Sequence, residues 1–333
     1  MRLVSYYDRG VRVGALDPAG IWDLRAVLAL HLARVAGEPA AAHRARQAVP
    51  ADMAEFIHRQ HGRMGRFREL VAACADDPGA RDRYVAQGML RSPGAVIALP
   101  PVLRPTKILC AARSYRDTPA GSTPAGGATV TAAAPPREVR MGFLKAPSAL
   151  VAHGADVTGP ADSRRWDFEA ELAVVIGTEC AGLRDAAEAR RAIFGYTVLN
   201  DVCLRDVPPE RGTLSSPAGK SRDTHAPLGP AVLLADTPGL DPDDLTVRSW
   251  RNGRLRQDAN TAELLAPVAE IVATASRLMR LLPGDIVSTG SPAGTSLETG
   301  EYLEPGDVMR VEVARVGVLE NRIIAAPTRK DPR

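Results

Sequence analysis

The chain has 333 residues, of which 45% are hydrophobic and 24% charged, and its formal net charge is +3. These values are typical of a globular protein with one large core, or with one large core and a smaller one, and so small a net charge does not favour nucleic acid as a partner. The four scattered cysteines form no CxxC pair, "MRLVSYYDRG" is not a signal peptide and no apolar run reaches membrane-spanning length, so we expect a cytoplasmic protein without a membrane partner.

Residues 1–100 are predicted to form a small α/β N-terminal domain. "MRLVSYYDRGVRVGAL" has the pattern of a β-hairpin that turns at Asp8-Arg9-Gly10, and "GIWDL" has that of a short strand. Two stretches rich in Ala, Arg and Leu, 24–47 and 51–75, are predicted to be helices. The closely spaced prolines of "LPPVLRP", residues 99–105, resist helix formation, so we place a domain junction there.

Residues 104–326 form the second predicted domain, in which strands outnumber helices. Residues 117–138 are almost all small residues and proline, can bury little surface and are predicted to form a mobile lid. "RDAAEARRAIF" is predicted to be a helix that ends at Gly195, and "AELLAPVAEIVATASRLMRLL" a second, amphipathic helix. "VRSWRNGRLRQ" fits a hairpin with a tight turn at Asn252-Gly253. Helices and strands do not alternate regularly, which argues against a doubly wound parallel sheet.

"WDFEAELAVVIG", residues 166–177, is predicted to be a strand that carries two carboxylates on a face turning inward. One face is apolar at period two, whereas the other begins with Glu169 and Glu171 and ends with Ala173 and Val175. Two ionised carboxylates about 6 Å apart repel by roughly 2–3 kcal/mol at an effective dielectric constant of 20. The pair is therefore expected to be in water, protonated or bound to a cation, and the apolar end of its face argues against full exposure.

A third carboxylate, Asp201, ends the apolar strand of "GYTVLNDVCLRD". Three carboxylates at neighbouring strand ends, without His or Cys, suit a hard cation with oxygen ligands, and Mg²⁺ is the first candidate. The alternative is an exposed sheet edge with an unrelated aspartate. The pattern alone does not distinguish the two.

Six blocks of sequence resemble the fumarylacetoacetate hydrolase superfamily in order and wording. They span about residues 104–322, and the N-terminal hundred residues are similar to the small leading domain of many members. The resemblance implies an α+β, β-rich fold, with a mixed β-roll or sandwich core, and a homodimer. The blocks are "MGFLKAPSALV", "WDFEAELAVVIG", "GYTVLNDVCLRD", "GKSRDTHAPLGP", "RNGRLRQ" and "LLPGDIVSTGSPAG".

The resemblance also implies roles for residues inside these blocks. The family's E-x-E pair and the Asp of its "ND" bind a divalent cation, which corresponds to Glu169, Glu171 and Asp201 and implies Mg²⁺ or Mn²⁺ as cofactor. Family substrates are small 2-oxo or β-diketo acids that chelate the metal through two oxygens. Lys220 and Arg205 match positions that contact substrate oxygens and are predicted to be catalytic. The residues predicted to bind substrate are Tyr115, Lys145, Gln257, Gly290 and Ser291.

The chain departs from the hydrolytic members of the superfamily in "SYRDTPAG". Those members carry N-Y-x-x-H-x-x-E, whose His and Glu activate water on a lid, whereas here Tyr115 remains and Thr118 and Gly121 replace His and Glu. Neither replacement can accept a proton near neutral pH, so this general base is missing. His225 of "DTHAP" lies in a matched block and is a candidate catalytic replacement, with a structural, hydrogen-bonded histidine as the alternative.

These features predict a metal-dependent enzyme that acts on a small 2-oxo or β-keto acid through an enolate. Decarboxylation, tautomerisation, double-bond isomerisation and dehydration all belong to this chemistry, and the first two depend least on the missing base. Two alternatives stay open. One is a C–C bond hydrolase, acting on an acylpyruvate or a fumarylacetoacetate-like acid with His225 as replacement base, and the other is a non-catalytic relative that binds a metal and an oxo acid.

Overall fold

The computed structural model of the protein describes residues 1–34, 37–116, 139–207 and 215–326. The predicted lid at 117–138, with Thr118 and Gly121, lies outside these ranges. The strands within the described residues are β1 (Arg2–Tyr7), β2 (Val11–Asp17), β3 (Gly20–Asp23), β4 (Leu90–Arg91), β5 (Ile97–Ala98), β6 (Ile108–Ala112), β7 (Arg140–Lys145), β8 (Leu150–Val151), β9 (Val157–Gly159), β10 (Trp166–Asp167), β11 (Ala170–Ile176), β12 (Ile193–Asn200), β13 (Cys203–Leu204), β14 (Ala226–Leu234), β15 (Thr246–Arg251), β16 (Arg254–Asn260), β17 (Ile286–Ser288), β18 (Val308–Val313) and β19 (Gly317–Ala325). The α-helices are α1 (Leu24–Arg34), α2 (Ala41–Ala48), α3 (Met53–Gln60), α4 (Gly65–Ala75), α5 (Arg81–Ala86), α6 (Ala186–Ala192), α7 (Pro217–Lys220), α8 (Val268–Leu278) and α9 (Ser296–Thr299).

One twelve-stranded sheet forms the centre of the molecule. Its strands follow the order β4-β3-β2-β1-β14-β12-β11-β17-β6-β7, while β5 pairs with β1 and β8 with β14. A five-stranded sheet, β16-β15-β18-β19-β9, and the short pair β10-β13 complete the β-structure of the described residues. Within the ranges that the structure describes, the parallel neighbours are β17 with β6, β14 with β8 and β19 with β9. The predicted α+β, β-rich class is confirmed.

Strand β11 separates two hydrophobic cores. Leu172 and Val174 belong to a core that also contains residues of the five-stranded sheet and of α8. Ala173 and Val175 point the other way, into a core that contains Phe56 and other residues of the leading helices. Because successive side chains of a strand face opposite sides, this arrangement confirms the period-two pattern of the sequence.

The first hundred residues share both sheet and core with the rest of the chain. The predicted hairpin is confirmed, since β1 pairs with β2 and Arg9 takes a φ of 54° in the turn. β1 also pairs with β14, where Leu3 lies opposite Val232. The leading segment therefore extends the central sheet, and its division from the remainder near residue 100 stays a prediction about independent folding.

Each of the two predicted leading helices is in fact a pair. Residues 24–47 contain α1 and α2, and residues 51–75 contain α3 and α4. Gly62 separates α3 from α4 at a φ of +75°, and Gly37 precedes α2 at +60°. These left-handed conformations are readily adopted by glycine and end a right-handed helix.

Two further helix predictions are wrong in their bounds. Helix α6 ends at Ala192, and Gly195 lies inside β12. The residue at position 195 is a glycine because a Cβ atom there would collide with the backbone of Leu233 in β14. Glycine thus serves close strand packing at this position rather than helix termination. The second helix is shorter than predicted, because α8 begins only after Pro267 and ends at Leu278. The hairpin at Asn252-Gly253 is confirmed, with both residues at positive φ.

The strand predicted over residues 166–177 is interrupted at Phe168 and Glu169. Strand β10 ends at Asp167 and β11 begins at Ala170. The Ala170 N–H donates to the side-chain oxygen of Gln257 over 2.9 Å, and the Glu169 carbonyl accepts from the Asp201 N–H over 3.0 Å. The Ala170 N–H thus has a side-chain partner from the five-stranded sheet, and the Glu169 backbone is bonded to Asp201, the residue that directly follows β12.

The structure also bears on two negative expectations from the sequence. All four cysteines are free thiols. In the part of the chain that the structure describes, no helix combines the length and the apolar composition that crossing a bilayer requires.

Candidate active site

Glu169, Glu171 and Asp201 converge where two neighbouring inner strands of the central sheet begin and end, as the sequence predicts. Each offers a carboxylate oxygen within 4.8 Å of the oxygens of the other two. The antiparallel register of β11 and β12, which places Ala170 opposite Asn200, brings the start of one strand beside the end of the other. Glu171 and Asp201 are almost completely buried.

The two glutamates differ in their electrostatic surroundings. Burial raises the pKa of Glu171 well above its usual range, and the charges of Asp201 and Glu169 add to this effect. Burial also opposes ionisation of Glu169, but Arg205 and Lys220 outweigh it and lower the pKa of that carboxyl. A buried carboxyl that lies beside two others is stabilised either by a proton or by a cation.

The chemistry of the surrounding donors fits a hard divalent cation. The three ligand candidates are all carboxylates, which suit Mg²⁺ or Mn²⁺ better than metals that prefer nitrogen or sulfur. Cys203 Sγ lies 4.0 Å from Glu169 Oε2, but burial raises the pKa of the Cys203 thiol to about 12. Without a bound metal ion the thiol is therefore protonated at neutral pH.

Lys220 lies between two of the carboxylates. Its Nζ atom donates to Glu169 Oε2 and to Asp201 Oδ2, each over 2.5 Å, and lies 4.8 Å from the centre of the Phe143 ring. Burial lowers the pKa of Lys220, but Asp201 and neighbouring groups outweigh burial and hold it well above its usual value. The side chain is positioned by the short helix α7, whose N-cap residue Ser216 accepts from the Gly219 N–H over 3.1 Å.

Lys145 is buried and contacts one carboxylate of the cluster, that of Asp201. It is 1% exposed, and its Nζ atom donates to Asp201 Oδ1 over 2.5 Å, to the Val202 carbonyl over 2.9 Å and to the Lys220 carbonyl. The three N–H groups of the ammonium thus have three acceptors within the protein. These contacts assign Lys145 to the support of Asp201, and its predicted contact with substrate remains a prediction.

Arg205 connects Glu169 to a carboxylate that our sequence analysis missed. Its Nη2 donates to Glu169 Oε1 and its Nε to Asp167 Oδ2, each over 2.7 Å. Asp167 is completely buried and also accepts from the backbone N–H of Ser296 over 2.7 Å. The available signal was the spacing D-x-E-x-E, which puts a third acidic residue in phase with the two glutamates.

Gln257, Gly290 and Ser291 surround the turn after β17. Gln257 Nε2 donates to Ser291 Oγ and to the Pro292 carbonyl, each over 2.8 Å. Gly290 has a φ of +84°, and a Cβ atom there would collide with Ser114 Oγ, so both the conformation and the close approach require glycine. The structure shows how the turn is held, while the binding of substrate by these residues stays a prediction.

Tyr115 and His225 are buried, and neither hydrogen-bonds a carboxylate of the cluster within the described residues. The Tyr115 hydroxyl has no hydrogen-bond partner there, and burial together with the charge of Glu171 raises its pKa. His225 Nε2 lies 2.9 Å from the Thr158 carbonyl, and burial lowers the pKa of His225 to about 4. His225 is therefore neutral at pH 7, donates from Nε2 and is a weak base, as expected of a structural histidine.

The residues of this cluster lie in a part of the chain that matches a known protein family. Residues 107–324 match the family model described as fumarylacetoacetate (FAA) hydrolase C-terminal. The protein belongs to the fumarylacetoacetate hydrolase family. The matched range contains all eleven residues to which the sequence analysis gave a role in the site.

Members of the fumarylacetoacetate hydrolase family that resemble this chain carry out different reactions. A mitochondrial oxaloacetate tautomerase of Bos taurus is 33% identical over 232 residues, which cover 69% of this chain and 70% of the relative. A 2-hydroxyhepta-2,4-diene-1,7-dioate isomerase from Mycobacterium marinum is 32% identical, with a TM-score of 0.57 over 70% of this chain and 79% of the other. A maleylpyruvate hydrolase from Sphingobium sp. SYK-6, in complex with manganese(II) and pyruvate, is 27% identical, with a TM-score of 0.68 over 98% of this chain and 100% of the other.

Proposed function

We propose that the protein is a divalent-metal-dependent enzyme that converts a small 2-oxo or β-keto acid through an enolate, by decarboxylation, tautomerisation, isomerisation or dehydration. The observation that carries this proposal is the cluster of Glu169, Glu171 and Asp201 with Lys220 held between two of them. The similarity to an oxaloacetate tautomerase and the manganese and pyruvate bound to a related hydrolase support the substrate class and the cofactor.

The site supplies positive charge where an enolate would develop. Glu169, Glu171 and Asp201 would hold Mg²⁺ or Mn²⁺, which would act as a Lewis acid on the oxo group when bound. Lys220 keeps an ammonium beside these carboxylates, and Arg205 adds a guanidinium on the far side of Glu169. Fixed cations in a buried site stabilise a developing oxyanion more than water does.

The carboxylate cluster with its two neighbouring cations is suited to the decarboxylation of a β-keto acid. In oxaloacetate, the bond between C3 and the C4 carboxylate would break and its electron pair would form the C2–C3 double bond of an enolate whose negative charge lies on the C2 oxygen. CO₂ leaves, and C3 of the enolate then takes up a proton. This step requires stabilised negative charge but no activated water. The chain lacks the His and Glu that activate water in hydrolytic members, since Thr118 and Gly121 stand in their places.

Substitution of Lys220 tests the proposal. Lys220→Met should lower the rate of oxaloacetate turnover at saturating Mg²⁺ by at least about 100-fold, the usual cost of removing one oxyanion-stabilising group. Lys107→Met is the matched control, because Lys107 also forms a 2.5 Å pair with a buried carboxylate, that of Asp285, but lies outside the cluster. An unchanged rate in Lys220→Met would contradict the proposal.

C–C bond hydrolysis is the second candidate, and the similarity to a maleylpyruvate hydrolase over 98% of the chain favours it. It requires a replacement base, for which His225 is the predicted residue. The pKa of about 4 and the Thr158 contact of His225 do not support that role. His225→Ala would abolish acylpyruvate cleavage if this reading were right.

We also propose a homodimer, as the family resemblance implies. Among the described residues the central sheet ends at β7, where Leu144 is half exposed, and sheet edges with apolar side chains are suited to association. Light scattering during gel filtration should give twice the mass of the 35.4 kDa chain. A mass equal to one chain at micromolar concentration would contradict this proposal.

A further inference from the structure

Three helices of the leading segment line an open cleft whose residues are distinct from those of the carboxylate cluster. The cleft has a volume of about 330 Å³, which lies within the range of small-ligand sites. Each helix contributes one arginine, since Arg25 lies in the first turn of α1, Arg46 in the last turn of α2 and Arg59 in the last turn of α3. Three guanidiniums from three helices therefore meet around one cavity.

Two of these guanidiniums are held by the end of α2. Arg25 Nε donates to the Val49 carbonyl over 2.9 Å, and Arg59 donates to the Gln47 carbonyl and to the Glu55 carboxylate. The last carbonyls of a helix lack partners within the helix and attract positive charge. Because the contact with Val49 uses one of the five N–H groups of Arg25, the guanidinium is fixed in place and keeps donors for a ligand.

The positive charge of the cleft is only partly balanced. Among the described lining residues, Glu55 is the one carboxylate against three guanidiniums. Burial lowers the pKa of Arg25, and the charges of Arg12 and Arg46 lower it further, while Asp23 opposes them. Since arginine stays protonated in proteins, Arg25 and Arg46 keep like charges that repel each other. A bound anion would relieve this repulsion.

We propose that this cleft binds a phosphate group, either as free phosphate or as part of a small organic ester. A phosphate group carries a charge of about −1.5 to −2 at pH 7 and offers three acceptor oxygens, which suits the planar forks of Arg25 and Arg46. Pro50 and Ala51 line the same cleft and offer apolar surface to the organic part of an ester. The site is independent of the carboxylate cluster and of the proposed reaction.

Arg46→Gln is the most informative variant, because Arg46 is exposed at the surface of α2 and its loss should not disturb the core. Binding is measured by titration calorimetry on the full chain, with inorganic phosphate in one arm and glycerol 3-phosphate in the other. The buffer contains no phosphate, and sodium chloride keeps the ionic strength constant. Loss of one charge-assisted contact should weaken the binding of both compounds by about 10–100-fold. Arg25→Lys, which keeps the charge but loses the planar fork, should weaken it as well.

Arg44→Gln is the matched control, since it removes the same charge from the same helix. Arg44 lies outside the cleft and pairs with Glu38 over 3.4 Å, so its loss should change the affinity little. Tighter binding of the ester would identify a phosphorylated metabolite as the ligand, and equal affinities would identify free phosphate. An absence of binding at millimolar concentrations, an unchanged affinity in Arg46→Gln, or equal losses in Arg46→Gln and Arg44→Gln would overturn the proposed site.

Discussion

Arg205 Nε donates to Asp167 Oδ2 over 2.7 Å, and the Asp167 side chain is completely buried. Removal of one partner from a buried pair leaves an uncompensated charge, which typically costs about 3–5 kcal/mol. Asp167→Asn should therefore lower the free energy of unfolding, measured in urea, by about that amount.

A surface pair provides the control for this prediction. Asp162 and Arg222 form a comparable contact of 2.8 Å, but their side chains are 63% and 36% exposed. Exposed pairs contribute about 0–1 kcal/mol, so Asp162→Asn should have a small effect. Equal destabilisation by the two variants would show that burial of the Asp167–Arg205 pair does not increase its contribution to the free energy of unfolding.

Glu171 should contribute to metal binding and oppose stability in the absence of metal. Its pKa is raised by burial and by the two neighbouring carboxylates, so Glu171→Gln removes repulsion while it keeps an acceptor for Ser288. In the presence of a chelator we expect the melting temperature of this variant to equal or exceed that of the unmodified protein. Mn²⁺ affinity should fall by more than about 100-fold, at or beyond the range for orienting residues. Unchanged Mn²⁺ affinity would rule out Glu171 as a ligand.

His225 should make the protein less stable in acid. Burial lowers the pKa of His225 to about 4 in the folded state, whereas the unfolded value is about 6.5. Between these values the unfolded state binds more protons, so stability from this residue is complete above about pH 6.5 and is lost as the pH falls towards 4. The shift corresponds to about 3 kcal/mol.

His225→Asn should therefore flatten the dependence of the unfolding free energy on pH between about 4 and 6.5. His43→Asn changes an exposed histidine and should leave the dependence in place. A pH profile of His225→Asn that is parallel to that of the unmodified protein would show that His225 does not titrate as the structure indicates.

The missing dyad gives a prediction from the sequence alone. Thr118→His combined with Gly121→Glu restores the two residue types that activate water in hydrolytic relatives. Since general-base catalysis is typically worth about 10²–10⁴-fold in rate, acylpyruvate hydrolysis should rise in the double variant. The double variant Thr118→Ala with Gly121→Ala serves as the control. Equal rates of acylpyruvate hydrolysis in the two double variants would count against the role assigned to positions 118 and 121.

The ligand candidates could be predicted from the sequence because they follow from local rules. Period-two alternation places Glu171 and Ala173 on one face, and Asp201 follows an apolar strand. The break at Glu169 could not be predicted in this way, because it depends on Gln257, whose amide oxygen replaces a strand partner from 87 residues away.

The supporting residues were missed for the same reason. Ser288 contacts Glu171 across 117 residues of sequence, and Asp167 accepts from the Ser296 N–H across 129. Neither contact leaves a local pattern, although the D-x-E-x-E spacing does place Asp167 itself in phase with the two glutamates. Gly195 shows the converse error, since a glycine after a helical stretch has the local pattern of a helix end, but here it permits the close approach of β12 and β14.

The rate of oxaloacetate turnover relative to acylpyruvate cleavage tests the central claim most directly. Both rates are measured on the unmodified protein at saturating Mg²⁺, with enzyme-free and chelator-treated samples as blanks. We predict that oxaloacetate turnover exceeds acylpyruvate cleavage by about 10²-fold or more, the lower limit for a missing general base, and that the chelator abolishes it. Fast acylpyruvate cleavage that is lost in His225→Ala would contradict the account and establish the hydrolase.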